Sequence, residues 1–221
     1  MPKIAKFKNL QPIESRDNGE DLVMVDSYNS NIKYQYLVEN RKECFAVRRS
    51  VAEKLAQANR VLQNIDKAYC LLVVYGYRSP ATQRSYFQQE WQRLSRIYPD
   101  YNFQDLREKV HENIAVPEVA GHPTGGAVDL TIYDQVRKRE WDMGSRIMDF
   151  VNGKNYTFAA DISARQRKNR LFLRDLMLEQ GFAPFYPEWW HFCYGDKEWA
   201  WFYGQKEAIY EQIEEENSFR N

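Results

Sequence analysis

The strongest constraint on the fold is a short apolar run, YCLLVVY at 69–75, which is closed by Gly76. A run of this length that contains β-branched residues is typical of a buried strand. A second run, AVDLTIY at 127–133, has the same character and follows the loop GHPTGG. A third segment, FAPFYPEWWHFCY at 182–194, is predicted to form two adjacent strands that meet at Pro187, because its prolines and aromatic residues oppose a helix.

Helical patterns separate and precede these strands. Apolar residues recur at helical spacing over 46–65, and an amphipathic stretch runs over 80–98. A shorter helix is predicted over 103–113, and a basic helix over 163–180 has Gly181 at the position of a C-terminal cap. The local patterns therefore predict a chain that mixes helices with a few short strands.

A chain of 221 residues with 43% hydrophobic residues can build a packed core, and we expect one domain over 1–221. Residues 1–40 are polar and predicted to form an irregular arm over that domain. Residues 205–221 are acidic and helical in period, which predicts a C-terminal tail helix. The 31 basic and 31 acidic residues balance, so no net charge favours nucleic acid or an anionic membrane as a partner.

Two features predict a cytoplasmic protein. The sequence contains neither a signal-peptide-like apolar stretch near its start nor a run of about 20 apolar residues that would span a membrane. Its cysteines, Cys44, Cys70 and Cys193, are odd in number and form no CxxC pair, which indicates neither disulfides nor a thiolate zinc site.

Two of the three histidines, His122 and His191, lie in segments rich in glycine, proline and tryptophan. A catalytic zinc site takes three protein ligands and leaves a fourth position open. Asp129 is the candidate third ligand, because it lies inside an apolar strand and the intervening glycines allow the loop to bring it near His122. A loop histidine and a turn-capping aspartate remain an equal alternative on spacing alone.

Glu188 lies three residues before His191 and can reach a water beside a metal without ligating the metal, which suggests a general base and acid. Arg78 follows a predicted buried strand and can stabilise an oxyanion, although a structural ion pair is favoured from spacing alone. Cys193 would share the strand face of His191 and keeps a small chance of being a ligand. His111, on a short helix, is expected to be exposed or capping and is assigned no role.

Three motifs in this order resemble one family. GYR at 76–78, GHPTGGAVDLTI at 121–132 and EWWH at 188–191 are similar to the D-alanyl-D-alanine dipeptidases of the VanX type, within the zinc DD-peptidases of peptidase family M15, subfamily D. The family signature S-x-H-x-x-G-x-A-x-D, followed by E-x-W-H, is matched except that Ala120 replaces the serine. The resemblance spans roughly residues 30–203.

The resemblance implies an α+β fold, with a small central antiparallel sheet flanked by helices, of the Hedgehog and DD-peptidase type. It implies one Zn²⁺ held by His122, Asp129 and His191, Glu188 as catalytic base and acid, and Arg78 stabilising the tetrahedral intermediate. It further implies a narrow pocket for a free dipeptide such as D-Ala-D-Ala.

The resemblance also suggests residues that contact the substrate: Tyr34, Ala120, Asp149 and Trp190. Two departures bear on the substrate. Ala120 removes a hydroxyl, and the position of the family's acidic residue holds Met148, with Asp149 next to it. A D,D- or L,D-carboxypeptidase acting on peptidoglycan stem peptides and a non-catalytic zinc-binding module of the same fold remain alternatives.

Overall fold

The computed structural model of the chain describes residues 4–36, 42–150 and 153–214. Its strands, in chain order, are β1 (Glu14–Ser15), β2 (Leu22–Met24), β3 (Lys33–Tyr34), β4 (Ala46–Arg48), β5 (Tyr69–Tyr75), β6 (Ala127–Asp134), β7 (Arg139–Glu140), β8 (Ala183–Pro184), β9 (His191–Cys193) and β10 (Glu207–Ala208). Its α-helices are α1 (Phe7–Leu10), α2 (Arg49–Ile65), α3 (Pro80–Ile97), α4 (Phe103–His111), α5 (Ala164–Glu179) and α6 (Lys197–Tyr203).

The main sheet has the strand order β3-β5-β6-β9-β8, with β7 paired to β6. The pairs from β5 to β8 are antiparallel, and β3 joins β5 in parallel. The two apolar runs form the central strands β5 and β6, and the aromatic segment forms the short pair β8 and β9. The predicted α+β class with a mainly antiparallel sheet is confirmed.

Alternation along β6 separates a core face from a site face. Leu130 and Ile132 pair with Val73 and Leu71, and all four side chains are buried in the main hydrophobic cluster, to which α2 and α5 also contribute. Since successive residues of a strand point to opposite sides, Asp129 faces away from this cluster. A carboxylate inside an apolar strand is thereby kept out of the core.

The ends of the chain differ from the sequence prediction. The arm is not wholly irregular, because it contains α1 and supplies β1, β2 and β3. The tail helix predicted over 205–221 is wrong for 205–214, and the rest lies outside the described residues. Gly204 adopts a left-handed conformation that ends α6, and β10 then pairs in parallel with β1. Tyr210, which follows β10, is fully buried in the main hydrophobic cluster.

Among the residues that the structure describes, no helix is both long and apolar enough to cross a membrane. The longest helices, α2 and α3, carry many charged residues. α2 packs on β5 through its apolar face, and α3 packs on α4.

Candidate active site

His122 lies in a single turn, His122–Thr124, between the loop and β6. The turn closes through Gly125, whose φ of 71° lies in the left-handed region that glycine adopts without strain. The His122 Nδ1 is 2.7 Å from the carbonyl oxygen of Gly76, which can only accept, so Nδ1 carries the proton. The Nε2 of His122 is therefore free to bind a metal, and it lies 3.4 Å from the Oδ2 of Asp129.

Asp129 and His191 are direct cross-strand partners on β6 and β9. The Nδ1 of His191 lies 2.9 Å from the Oδ1 of Asp129. Asp129 is 3% exposed, and His122 is 6% exposed. The antiparallel register thus brings together three residues that lie far apart in sequence.

The donor atoms of His122, Asp129 and His191 all lie within 4.8 Å of one another. A tetrahedral zinc ion with bonds of about 2.0–2.1 Å separates its ligand atoms by about 3.3 Å. The distances of 3.4 Å and 2.9 Å that Asp129 makes to the two imidazoles lie on either side of this value. Two imidazoles and one carboxylate form a donor set that zinc binds in catalytic sites, so the residues fit the metal.

The electrostatics reflect a buried carboxylate between two imidazoles. Burial alone would raise the pKa of Asp129, but the charges and hydrogen bonds of the histidines hold it well below its usual range. Burial lowers the pKa of His122 to about 4. Burial also opposes the charge on His191, but the hydrogen bond and charge of Asp129 outweigh it and raise the pKa to about 9. Asp129 is therefore an anion at neutral pH, ready to bind a cation.

Glu188 lies in the turn that joins β8 to β9. Its backbone N–H donates to the carbonyl of Phe185 at 2.9 Å, and its carbonyl accepts the N–H of His191 at 3.2 Å. Burial raises the pKa of the Glu188 carboxyl to about 8, although the positive charges of His191 and Arg78 oppose the shift. A carboxyl with this pKa exchanges protons near neutral pH, which suits general acid and base catalysis.

Arg78 leaves the end of β5, and its N–H donates to the carbonyl of His122 at 3.3 Å. Its side chain is buried and lies against the rings of Tyr75 and Tyr86, with Cζ 4.5 Å and 5.1 Å from their centroids. Its Nη1 donates to the Oε1 of Gln83 at 2.8 Å. No carboxylate in the described part of the chain forms an ion pair with Arg78, so the structural ion pair favoured from spacing is not found.

These residues line one cavity of about 60 Å³. His122, Asp129, His191, Glu188 and Arg78 all contribute to its wall. Further wall residues that the sequence reasoning did not assign are Leu10, Gln83, His111, Asn113, Ile114, Ala115, Val119, Gly121, Met148, Phe150, Phe185 and Glu198. Apart from Gly121, they come from segments outside the three motifs, so only the fold reveals them.

Of the four predicted substrate contacts, Ala120 and Trp190 line the cavity, but Tyr34 and Asp149 do not. Tyr34 lies in the edge strand β3, is 39% exposed and stacks on the ring of Phe45. Met148, next to Asp149, has a left-handed φ of 63°. Met148 lines the cavity wall in place of Asp149.

Two further expectations concern residues outside the motifs. Cys193 does not belong to the ligand cluster, because its Sγ donates to the carbonyl of Ala183 at 3.6 Å. His111 is not exposed, because only 4% of its surface is accessible, and its Nδ1 accepts the N–H of Val116. The expectation of a capping role is closer to this geometry than that of an exposed residue.

The comparison with family models defines the chain as a peptidase. The family model described as D-ala-D-ala dipeptidase, of peptidase group M15, matches residues 19–213, and the chain belongs to this family. A D-alanyl-D-alanine dipeptidase of Synechocystis sp. is 28% identical over 192 residues, which cover 76% of this chain and 77% of the relative. One from Enterococcus faecium is 29% identical and covers 66% of this chain and 72% of the relative.

The solved structures add a comparison of the fold. The structure of an LdcB LD-carboxypeptidase matches with a TM-score of 0.50 at 19% identity, covering 88% of this chain and 81% of that chain. At this identity the match establishes a shared fold. The predicted DD-peptidase-type architecture is therefore confirmed independently of the sequence motifs.

Proposed function

We propose that the protein is a zinc-dependent dipeptidase that hydrolyses D-Ala-D-Ala or a closely related dipeptide containing a D-amino acid. The observation that carries this proposal is the buried cluster of His122, Asp129 and His191 on the same small cavity as Glu188 and Arg78. The relatives named D-alanyl-D-alanine dipeptidase support the choice of substrate.

The three clustered residues would hold the metal through His122 Nε2, an oxygen of Asp129 and His191 Nδ1. When bound, zinc supplies Lewis acidity, which lowers the pKa of water and polarises the carbonyl that is attacked. The hydrogen bond from His122 to Gly76 holds the imidazole in the ligating tautomer, as outer partners of metal ligands commonly do.

Glu188 accepts a proton from the attacking water and later transfers it to the leaving amine. Its place on the cavity wall beside the ligand cluster supports this role. Arg78 donates N–H groups to the oxygen that becomes negative in the tetrahedral intermediate, and its burial strengthens this interaction. Gln83 fixes the orientation of Arg78 through its Oε1, so the guanidinium is in place before the substrate binds.

The small cavity supports the choice of a short substrate. Its volume of about 60 Å³ is small, and Leu10 from the N-terminal arm forms part of its wall. Leu10 is 1% exposed, because α1 packs against α4 and α6. The carboxylate of Glu108 accepts hydrogen bonds from the backbone N–H groups of Phe7 and Lys8, both at 3.0 Å, and fixes this short helix.

The test is a panel of substrates with the zinc-loaded protein: D-Ala-D-Ala, D-Ala-D-Ser, L-Ala-D-Glu and a stem pentapeptide. We expect hydrolysis of D-Ala-D-Ala to be fastest, and to be lost on chelation and restored by zinc. Greater activity on the pentapeptide would contradict the dipeptidase and favour a carboxypeptidase. Zinc binding with no hydrolysis of any substrate would favour a non-catalytic binding module.

A further inference from the structure

His111, the last residue of α4, is a buried polar side chain that the mechanism above does not use. It lies on the wall of the active-site cavity, and 4% of its surface is accessible. Its ring meets the ring of Phe7 edge to face, with centroids 6.2 Å apart. Its Nδ1 accepts the backbone N–H of Val116 at 3.2 Å.

This hydrogen bond determines where the imidazole carries its proton. Since Nδ1 accepts, the neutral ring must be protonated at Nε2, which makes Nε2 a donor. Burial lowers the pKa of His111 to about 4, so the ring is neutral at physiological pH. Among the hydrogen bonds of the described residues, His111 takes part through Nδ1 and not through Nε2, and the residue lines the cavity, so its Nε2–H is available to a ligand there.

A chain of hydrogen bonds connects His111 to Arg78. The Nη1 of Arg78 donates to Gln83 Oε1 at 2.8 Å, and Gln83 Nε2 donates to the carbonyl of Ala115 at 2.8 Å. That carbonyl and the N–H of Val116 belong to the same peptide unit, and this N–H is the group that His111 accepts. The peptide unit between Ala115 and Val116 therefore holds two side chains in place. One is the Gln83 amide, which orients Arg78, and the other is the His111 imidazole.

Arg78 has an unused donor as well. Its Nε is buried and has no partner within the described residues. A cationic guanidinium and a neutral N–H donor on the same cavity wall suit a carboxylate, because charge-assisted hydrogen bonds are stronger than neutral ones. A free dipeptide carries such a group at its C-terminus.

We propose that His111 is a substrate-binding residue that donates its Nε2–H to the terminal carboxylate of the dipeptide, beside Arg78. This inference rests on the proposed function, because it requires a substrate whose free carboxylate lies next to the scissile bond. It makes His111 a determinant of specificity for peptides with a free C-terminus, not a participant in bond cleavage.

Two variants distinguish the roles of the two ring nitrogens of His111. His111→Asn keeps an acceptor for the Val116 N–H but has no donor at the position of Nε2. His111→Gln keeps a donor near the position of Nε2. Both are made in the zinc-loaded Glu188→Gln protein, in which substrate binding is measured by calorimetry without turnover. The ligands are D-Ala-D-Ala and D-alanine ethylamide, which keeps the amide bond and lacks the carboxylate.

We expect His111→Asn to weaken the binding of D-Ala-D-Ala about 10-fold or more, as for loss of one hydrogen bond to a charged group. His111→Gln should stay within about 3-fold of the parent, and the ethylamide should bind equally to all three proteins. Unchanged binding of D-Ala-D-Ala to His111→Asn, or an equal loss for both ligands in both variants, would overturn the proposal.

The failure of the proposed function has a different signature. If the parent Glu188→Gln protein binds no D-Ala-D-Ala and the unmodified enzyme hydrolyses none, the substrate itself is wrong. If the unmodified enzyme hydrolyses D-Ala-D-Ala and His111→Asn shows an unchanged KM, the dipeptidase activity is supported and the proposed role of His111 is contradicted.

Discussion

Gly121, the residue before His122, is predicted to be intolerant of any side chain. Its φ of −77° is open to all residues, so backbone strain is not the reason. A Cβ built at this position overlaps the Oδ2 of Asp196 and lies 3.1 Å from the Cβ of Ala127. Asp196 is 1% exposed and its Oδ1 accepts the N–H of Trp199 at 2.8 Å, capping α6. Displacement of the carboxylate by a Cβ at residue 121 would therefore disturb this cap.

The expected cost of Gly121→Ala follows from these contacts. Overpacking of a close-packed site costs about 1–3 kcal/mol, and loss of a helix cap about 0.5–2 kcal/mol. Reduced freedom of the unfolded chain returns about 0.4–1 kcal/mol, because the native φ suits alanine. We expect a net loss of about 2 kcal/mol in the free energy of unfolding, and weaker zinc binding because His122 is the next residue.

The assay is urea unfolding of the metal-free protein, together with a zinc titration. The matched background is Asp196→Ser, which keeps a capping oxygen on a shorter side chain. Gly121→Ala should cost much less in that background, since sites in contact are not additive. An equal cost in both backgrounds, or no cost in either, would refute the steric reasoning.

Three further predictions concern the walls and supports of the site. Gln83→Leu should lower kcat for D-Ala-D-Ala about 10- to 100-fold in steady-state assays, because it frees Arg78 and leaves the guanidinium without its buried acceptor. Leu10→Ala should raise the ratio of pentapeptide to dipeptide hydrolysis, while its buried side chain makes its loss cost about 2–5 kcal/mol in urea unfolding. Burial opposes the charge of Asp17, but backbone hydrogen bonds and Arg48 lower the pKa of its carboxyl. The charged carboxylate therefore stabilises the folded protein relative to Asp17→Asn. This difference in the free energy of unfolding, measured in urea, should be full above about pH 4 and should shrink below it.

The central strands were predictable because their information is local. The apolar run 69–75 and the run containing Asp129 form strands with nearly the predicted bounds. Asp129 could be singled out from the sequence because a carboxylate in an apolar strand needs a partner. The helix predicted over 163–180 was also confirmed, with Ser163 as its cap and Gly181 in a left-handed conformation.

The remaining parts depend on contacts between distant segments. Gln83 and His111 both hydrogen-bond to the peptide unit between Ala115 and Val116. No periodicity in the sequence encodes this link. The tail after Gly204 has a helical period, but pairing with the N-terminal arm determines its extended shape. Glu198 was likewise missed: it lies at the start of α6, and burial on the cavity wall raises its pKa to about 8.

The most direct test of the account is the hydrolysis of D-Ala-D-Ala by the zinc-loaded protein and its Glu188→Gln variant, with zinc content measured in both. We expect one zinc per chain in each protein, rapid release of D-alanine by the unmodified enzyme, and a loss of about 10²- to 10⁴-fold in kcat for the variant. Equal turnover by the two proteins, with equal zinc content, would contradict the role of Glu188 and with it the proposed mechanism.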